Sequence, residues 1–480
     1  DLEKLNANKI PEDLHKPWID EVTLPCSCGS TMIRNPDIMD VWIDAGVDSW
    51  ASLGFPHSEE NFKKLFPADF ITEAKDQIRG WFNLLFVASM IGMDNISFKN
   101  CYMHGYINDA YGQKFSKSLG NYVSPQLVLE KFGADSFRFY VLGASNPGVD
   151  MNYNEDDLIV KRRNLGILWN LHNFVMDLSK TLDKNPEDIP DDLLQKADLE
   201  EKYVLSKLHS TIKKTTELLD NYKINEVSWT IEGLFMELSR TYVQLVRDKI
   251  NNGTDEQKEI VLKTIYTVMK QVTILLAPVT PMICEKMYHD FKESFGLKLI
   301  SVHLYDWPKH DQKLIDDKLE QNVESAKSVI QAILAAREKA GLGTRWPMQT
   351  VHVETKDDLT LNAAKELIDL IKSQTNVRNI NVVNSFDDAD LIIKPNFKTI
   401  GPEFGRESQT IVKEINDTSN SELLANYKDS KLKLSKWVLE DKHLDFERSL
   451  PDNFKQGNFP KGNIYLDTNV PDDLVSEGYY

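Results

Sequence analysis

Between residues 155 and 295 apolar side chains recur at helical spacing almost without a break, and this run constrains the fold more than any other feature. Five segments carry it: 155–180, 200–220, 225–251, 255–276 and 281–293. Stretches at 184–196, 221–224, 252–254 and 277–280 separate them, which suits the connections of an antiparallel helical bundle. The first 145 or so residues read differently. Short β-rich runs alternate with turn signals around one long apolar helix, the order expected of an α/β unit. Residues 69–72 read as a short strand entering a helix that begins near Asp76, and 101–107 as a second, buried strand leading into a polar loop at 108–121. After Trp307 a further helix, 321–340, precedes shorter strand and helix signals. The expectation is a multidomain chain: an α/β layer over 1–150, an all-α helical bundle over 151–310 and a small α+β domain over 311–480.

Composition narrows the function classes. With 56 basic and 74 acidic residues the net charge is −18, so the average field repels nucleic acid and anionic membrane, and an RNA partner would need a local basic patch. The most apolar stretches, 84–93 and 272–279, fall short of the roughly 20 residues that span a bilayer, so no membrane role is expected. Four cysteines, at 26, 28, 101 and 284, are too few for a disulfide framework and point to a reducing, cytoplasmic setting. Asp1 in place of a methionine, and an amphipathic segment that stops at Tyr480, read as cuts through a longer protein.

Three windows carry chemistry. The sharpest is Lys114, Phe115, Ser116, Lys117, Ser118, followed by Leu119, Gly120 and Asn121. Two lysines three apart, separated by a serine and a bulky apolar anchor, make a cationic loop that can close on a triphosphate and neutralise charge growing on the leaving pyrophosphate. An arbitrary K-x-S-K-S is more often a solvated basic turn. In the second window Glu73 and Asp76 lie at a strand-to-helix junction, where carboxylates can hold an ammonium or ribose hydroxyls. Gln77 and Trp81, four apart on the expected helix, would share a face and wall a branched apolar substrate; plain core packing is the default for such a Trp. The third window, Met39 to Trp50, sets Trp42 between Val41 and Ile43.

With Met103, His104, Gly105, Tyr106 and Asp109 before it and Gly133, Ala134, Asp135 and Arg138 after it, the lysine loop resembles the KMSKS segment of class I aminoacyl-tRNA synthetases, with Phe115 for the usual Met. The stretch Asp76, Gln77, Ile78, Arg79, Gly80, Trp81, Phe82 resembles the D-Q-x-R-G-W-F of isoleucyl-tRNA synthetases, and Asp40 to Gly46 their D-V-W-F-D-S-G, which implies a strand and turn there, with Ile43 and Ala45 departing from Phe and Ser. Residues 276–285, 335–347 and 394–402 are similar to later parts of archaeal and eukaryotic-type members, so the resemblance covers nearly the whole chain. It implies the second half of a Rossmann-type class I catalytic fold, an anticodon-binding bundle and a C-terminal domain.

The implied activity is ATP-dependent aminoacylation of tRNA(Ile) with L-isoleucine through an isoleucyl-adenylate. Valyl, leucyl and methionyl enzymes of the class, and a non-catalytic tRNA-binding module, are the rivals. The resemblance makes Lys117 and Lys114 catalytic. It gives Glu73, Asp76, Gln77, Trp81 and Trp42 to the substrates, and Ser116, Ser118, His104, Gly105 and Lys117 to ATP, with Mg2+ arriving on the nucleotide. The ten histidines never come within four positions of one another, so the family's H-x-G-H motif does not occur; nor does an editing insertion, and the segment alone is expected to be an inactive monomer. No protein metal site is expected: Cys26 and Cys28 are spaced C-x-C with no second pair nearby, Cys101 and Cys284 read as buried, and zinc stays open. Lys161, Arg162, Arg163, Arg240, Arg247 and Lys249 are candidates for tRNA phosphates, each equally readable as a solvated helix charge.

Overall fold

The computed structural model describes residues 2–38, 40–386 and 390–479; Met39 of the third window and the terminal Asp1 and Tyr480 lie outside the described residues. The chain divides into two compact units, one of residues 1–167, 214–232 and 276–286, the other of 168–213, 233–275 and 287–480.

In the first unit a hairpin of β1 (Thr23–Pro25) and β2 (Thr31–Ile33) precedes the short helix α1 (Val41–Gly46). Strands β3 (Ile71–Ala74) and β4 (Cys101–His104) then pair in parallel, with Ala74 opposite His104. A parallel pair needs a crossover, and helix α2 (Trp81–Met93) supplies it. Ile71, Phe82 and Leu85 are buried between helix and strands, with Trp81, Phe98 and Met103 packed on them. The strand expected at 101–107 breaks at Gly105, where a Cβ would meet the Val149 carbonyl oxygen at 2.2 Å, so only glycine fits. Beyond it β5 (Ile107–Asn108) pairs in parallel with β6 (Met151–Asn152). The helices at Pro125–Phe132 and Ala134–Gly143 build a second core of Val128, Phe132, Tyr140, Met151, Tyr153 and Leu158.

The helical run emerges as α3 (Glu155–Leu182), α4 (Leu199–Asp220), α5 (Ile224–Glu237), α6 (Asp255–Leu276) and α7 (Pro281–Phe295). The third segment is shorter than its spacing predicts. A π turn at Leu238–Tyr242 interrupts it, and short helices carry the chain on to Asn252. Tyr242, buried in that turn, donates to Glu201 at 3.3 Å, and the Lys249 ammonium meets Asp198, Glu200 and Glu201 at 3.0, 3.0 and 2.9 Å.

Also in the second unit, helix α8 (Asp317–Lys339) packs on a sheet built from β7 (Met348–Thr355), β8 (Val377–Val383), β14 (Phe454–Phe459) and β15 (Gly462–Asp467), in the order β14-β15-β7-β8. Helices α9 (Asp358–Glu366) and α10 (Ile368–Thr375) connect the parallel neighbours β7 and β8. A smaller cluster around Ile393, Ile400, Ile411, Leu432 and Leu439 joins β9 (Asp390–Pro395) to β10 (Tyr427–Lys428), β11 (Lys431–Lys433), β12 (Val438–Glu440) and β13 (Leu444–Ser449). The chain is thus multidomain: an α/β layer, a long helical stretch and a sheet-containing C-terminal part. Among the described residues no helix is long and apolar enough to cross a membrane.

Candidate functional site

Strands β3 and β4 run in parallel, so their carboxyl ends open on the same side, where α/β sheets bind ligands. The β3 end continues into a 3-10 turn, Lys75–Arg79, and the β4 end into His104, Gly105 and Tyr106. The helix expected from near Asp76 begins instead at Trp81, because Gly80 takes up a backbone conformation (φ −130°, ψ −118°) that ends the turn. Gln77 and Trp81 therefore do not share a helix face. The Gln77 side-chain oxygen accepts from the Trp81 backbone N–H at 2.8 Å, satisfying a free donor of the new helix, while its NH2 donates to Asp76 at 3.0 Å. Both ends of the amide are engaged.

Trp42 lies on helix α1, not on a strand and turn. The Asp40 carboxylate accepts from the Trp42 N–H at 3.0 Å and starts the helix. The Trp81 indole N–H donates to the Ala45 carbonyl at 2.9 Å, fastening α1 to α2. Asp76, Gln77 and Trp81 are thereby linked by hydrogen bonds to the helix that carries Trp42, which keeps 45% of its surface exposed; Glu73 is exposed on β3. His104 and Gly105 border a cavity of about 490 Å³ lined also by Phe70, Tyr102, Tyr106 and Pro147. The His104 Nδ1 faces the Gly105 carbonyl oxygen at 2.9 Å.

The lysine loop forms a separate element, rooted through Phe115 in the core of Val128, Tyr140 and Tyr153. Its base is clamped. The Asp109 carboxylate accepts from the Tyr111 and Gln113 N–H groups at 3.0 and 2.8 Å and from the Asn121 amide at 2.9 Å; the Asn121 bond, the strongest influence, together with the backbone bonds holds this carboxyl below its ordinary range. Asn121 in turn accepts from the Ser116 N–H at 2.8 Å. Ser116 and Ser118 share a hydroxyl bond of 2.7 Å, and Lys117 lies over the Tyr122 ring, 5.6 Å from its centre. Lys114 and Lys117 are exposed, and neither has an acidic partner among the described residues.

The other basic candidates divide. Lys161 is half-buried in an ion pair with Glu232, and Lys249 is held by three carboxylates, so neither is free for phosphate; Arg162 donates to the Lys131 carbonyl at 3.0 Å. Arg163, Arg240 and Arg247 stand exposed. Cys284 is buried as expected, its thiol pushed up to about 12 by burial, whereas Cys101 is exposed on the edge of a short sheet instead of buried. Cys26 and Cys28 sit at the β1–β2 turn with sulfurs 3.2 Å apart, and hydrogen bonding from Ser30 draws the Cys28 thiol down to about 7. Sequence reasoning missed Tyr106 and Asp150, whose partners are 30 to 75 positions away; Gly105, with no room for a side chain, was the one local signal.

Residues 3–154 match the family of tRNA synthetases class I (I, L, M and V), and residues 201–355 match the anticodon-binding domain of tRNA ligase. By sequence the chain belongs to the class I tRNA synthetases. Within that class it is similar along nearly its whole length to proteins named Isoleucine--tRNA ligase. It is 33% identical to that of Methanopyrus kandleri over 97% of this chain and 45% of that protein. Identity is 34% to that of Pyrococcus furiosus over 98% and 44%, and 35% to that of Methanoculleus marisnigri over 100% and 46%. The chain spans less than half the length of these relatives.

Proposed function

We propose that this chain is part of an enzyme that activates L-isoleucine with ATP and transfers it to tRNA(Ile). The isoleucine carboxylate attacks the α-phosphorus of ATP, the bond to pyrophosphate breaks, and the mixed anhydride then acylates a ribose hydroxyl at the tRNA end. Lys117, supported by Lys114, faces the charge that builds on the leaving pyrophosphate; Ser116 and Ser118 hold the loop between them. Asp76 and Glu73 take the ammonium or the ribose hydroxyls, and the indoles of Trp42 and Trp81 wall the branched side chain. The cavity beside His104 and Gly105 receives adenosine, and Mg2+ travels with the nucleotide. The division into 1–150, 151–310 and 311–480 separates chemistry, anticodon binding and a C-terminal domain. With no H-x-G-H among its histidines, the chain draws its remaining phosphate contacts, and any editing, from residues outside these 480, and is inactive by itself.

The observation that supports this reading is a lysine pair with no acidic partner among the described residues, on a clamped loop that follows β5, in the same compact unit as the parallel pair β3 and β4. Lys117→Ala in the full-length protein is expected to slow isoleucine-dependent ATP–pyrophosphate exchange by about 100- to 1,000-fold while leaving the KM for isoleucine nearly unchanged. An unaltered rate rejects the role, and exchange driven by valine, leucine or methionine in preference to isoleucine rejects the substrate.

A further inference from the structure

The β1–β2 hairpin carries a pair of side chains that no role given above uses. Two backbone bonds close its turn: the Gly29 N–H donates to the Cys26 carbonyl at 2.9 Å, and the Cys26 N–H donates to the Ser30 carbonyl at 2.9 Å. Gly29 sits at φ +85°, a left-handed conformation open to glycine, so the chain turns back directly after Cys28. On an extended strand, residues two apart stand about 6.6 Å from each other on one face, close to the limit that a disulfide bridges. Here the turn brings the Cys26 and Cys28 sulfurs to 3.2 Å. Cys28 is exposed and Cys26 half-buried, so a small solute can reach the pair.

This arrangement suits sulfur chemistry better than a metal. A structural zinc takes four ligands, and among the described residues no third His, Cys, Asp or Glu gathers with these two sulfurs. The thiolate is the reactive form of cysteine, and hydrogen bonding from Ser30 draws the Cys28 thiol down to about 7, so a large share of it is ionised near neutral pH. Burial instead raises the thiols of Cys101 and Cys284.

We propose that Cys26 and Cys28 form a redox site that hydrogen peroxide and related hydroperoxides oxidise to a disulfide and that small thiols restore. The Cys28 sulfur attacks one oxygen of hydrogen peroxide. The S–O bond forms, the O–O bond breaks, and the departing hydroxide takes the thiol proton and leaves as water. The Cys26 sulfur then attacks the Cys28 sulfenic acid; the S–S bond forms, the S–O bond breaks, and a second water leaves with the Cys26 proton. The two thiols together give up two electrons, and the peroxide accepts them. Two molecules of a small thiol such as glutathione reverse the step by exchange and leave as their own disulfide. The site does not depend on the activity proposed above.

Full-length protein, reduced and then exposed to a small excess of hydrogen peroxide, tests it by peptide mass spectrometry. The peptide bearing both cysteines is expected to lose two hydrogens and resist alkylation, and to regain both thiols once glutathione is added. This measurement uses no variant, so it stands whatever a substitution does to folding. In Cys26→Ser the second step has no attacking sulfur, and Cys28 accumulates as a sulfenic acid that a cyclic diketone traps, roughly ten-fold or more above the unsubstituted protein. In Cys28→Ser the oxidation of Cys26 slows by roughly ten-fold or more. A peptide that keeps both thiols, or equal trapping of Cys28 with and without Cys26, overturns the proposal. So does zinc that co-purifies with the full-length protein and is lost in Cys28→Ser.

Discussion

Helix α2 of the first unit and helix α8 of the second are both rich in apolar residues but place them differently. Of α2, Phe82, Leu85 and Ser89 are buried, while Phe86, Val87, Met90 and Ile91 remain exposed, Ile91 to 82%. In α8 Val323, Ala326, Val329, Ala332, Ile333 and Ala336 are all buried against the sheet, and the opposite face is charged. A one-sided helix has met its packing requirement, whereas a helix apolar all round carries more surface than one partner layer covers. The sheets differ likewise: β3 and β4 stand as a pair, and α8 rests on four strands. The second unit is organised around its core. In the first, two smaller cores, around Leu85 and around Tyr140, hold the short strands.

The largest effect expected from this contrast lies at the end of α8. Arg337, buried within its unit, donates to the carbonyls of Thr375, Gly343 and Trp346 at 3.1, 2.5 and 2.5 Å. Arg337→Met strands those carbonyls and should lower unfolding free energy by about 4 kcal/mol in urea denaturation. Ile333→Ala, a cavity in the middle of the same helix, should remove about 3 kcal/mol.

A smaller and pH-dependent effect is expected at Asp357. Hydrogen bonding from Lys461, then from Thr360, holds its carboxyl at about 2 against an ordinary value of 3.8. Its contribution is therefore complete above pH 3.8 and disappears as the pH falls through about 2. Asp357→Asn should flatten the stability profile across that window; a slope that persists removes Asp357 as its source. The smallest effect belongs to α2, where Ile91→Ala should change stability by no more than about 0.5 kcal/mol. A loss equal to that of Ile333→Ala would break the comparison.

The long helices were also the easier to read. Helices α4 and α6 match their expected limits within a residue, and α8 begins only four residues early, because apolar spacing and breaking residues mark them locally. The π turn at 238–242 left no such mark: Leu238, Thr241 and Tyr242 keep a helical burial rhythm while the hydrogen bonds slip by one residue. In the candidate site, the lysine loop was legible from its spacing. Trp42 was expected on a strand and turn because its window resembles the family's D-V-W-F-D-S-G segment, whereas here the Asp40 carboxylate caps a short helix that carries it. Lys161 and Lys249 read as surface charges because their acidic partners stand 71 and 48 or more positions away, beyond any local pattern. Tyr106 escaped for the same reason.

The π turn has a consequence for counting along the chain. Each residue advances an α-helix by about 100°, so one added residue sets everything after it out of phase with what came before. Arg240 and Arg247, seven apart, would stand nearly in line on an unbroken helix, and here they do not inherit that alignment. Deleting a single residue at 238–242 would rotate the later arginine relative to the earlier one without altering either, so insertions and deletions at that spot change the direction of charge rather than its amount.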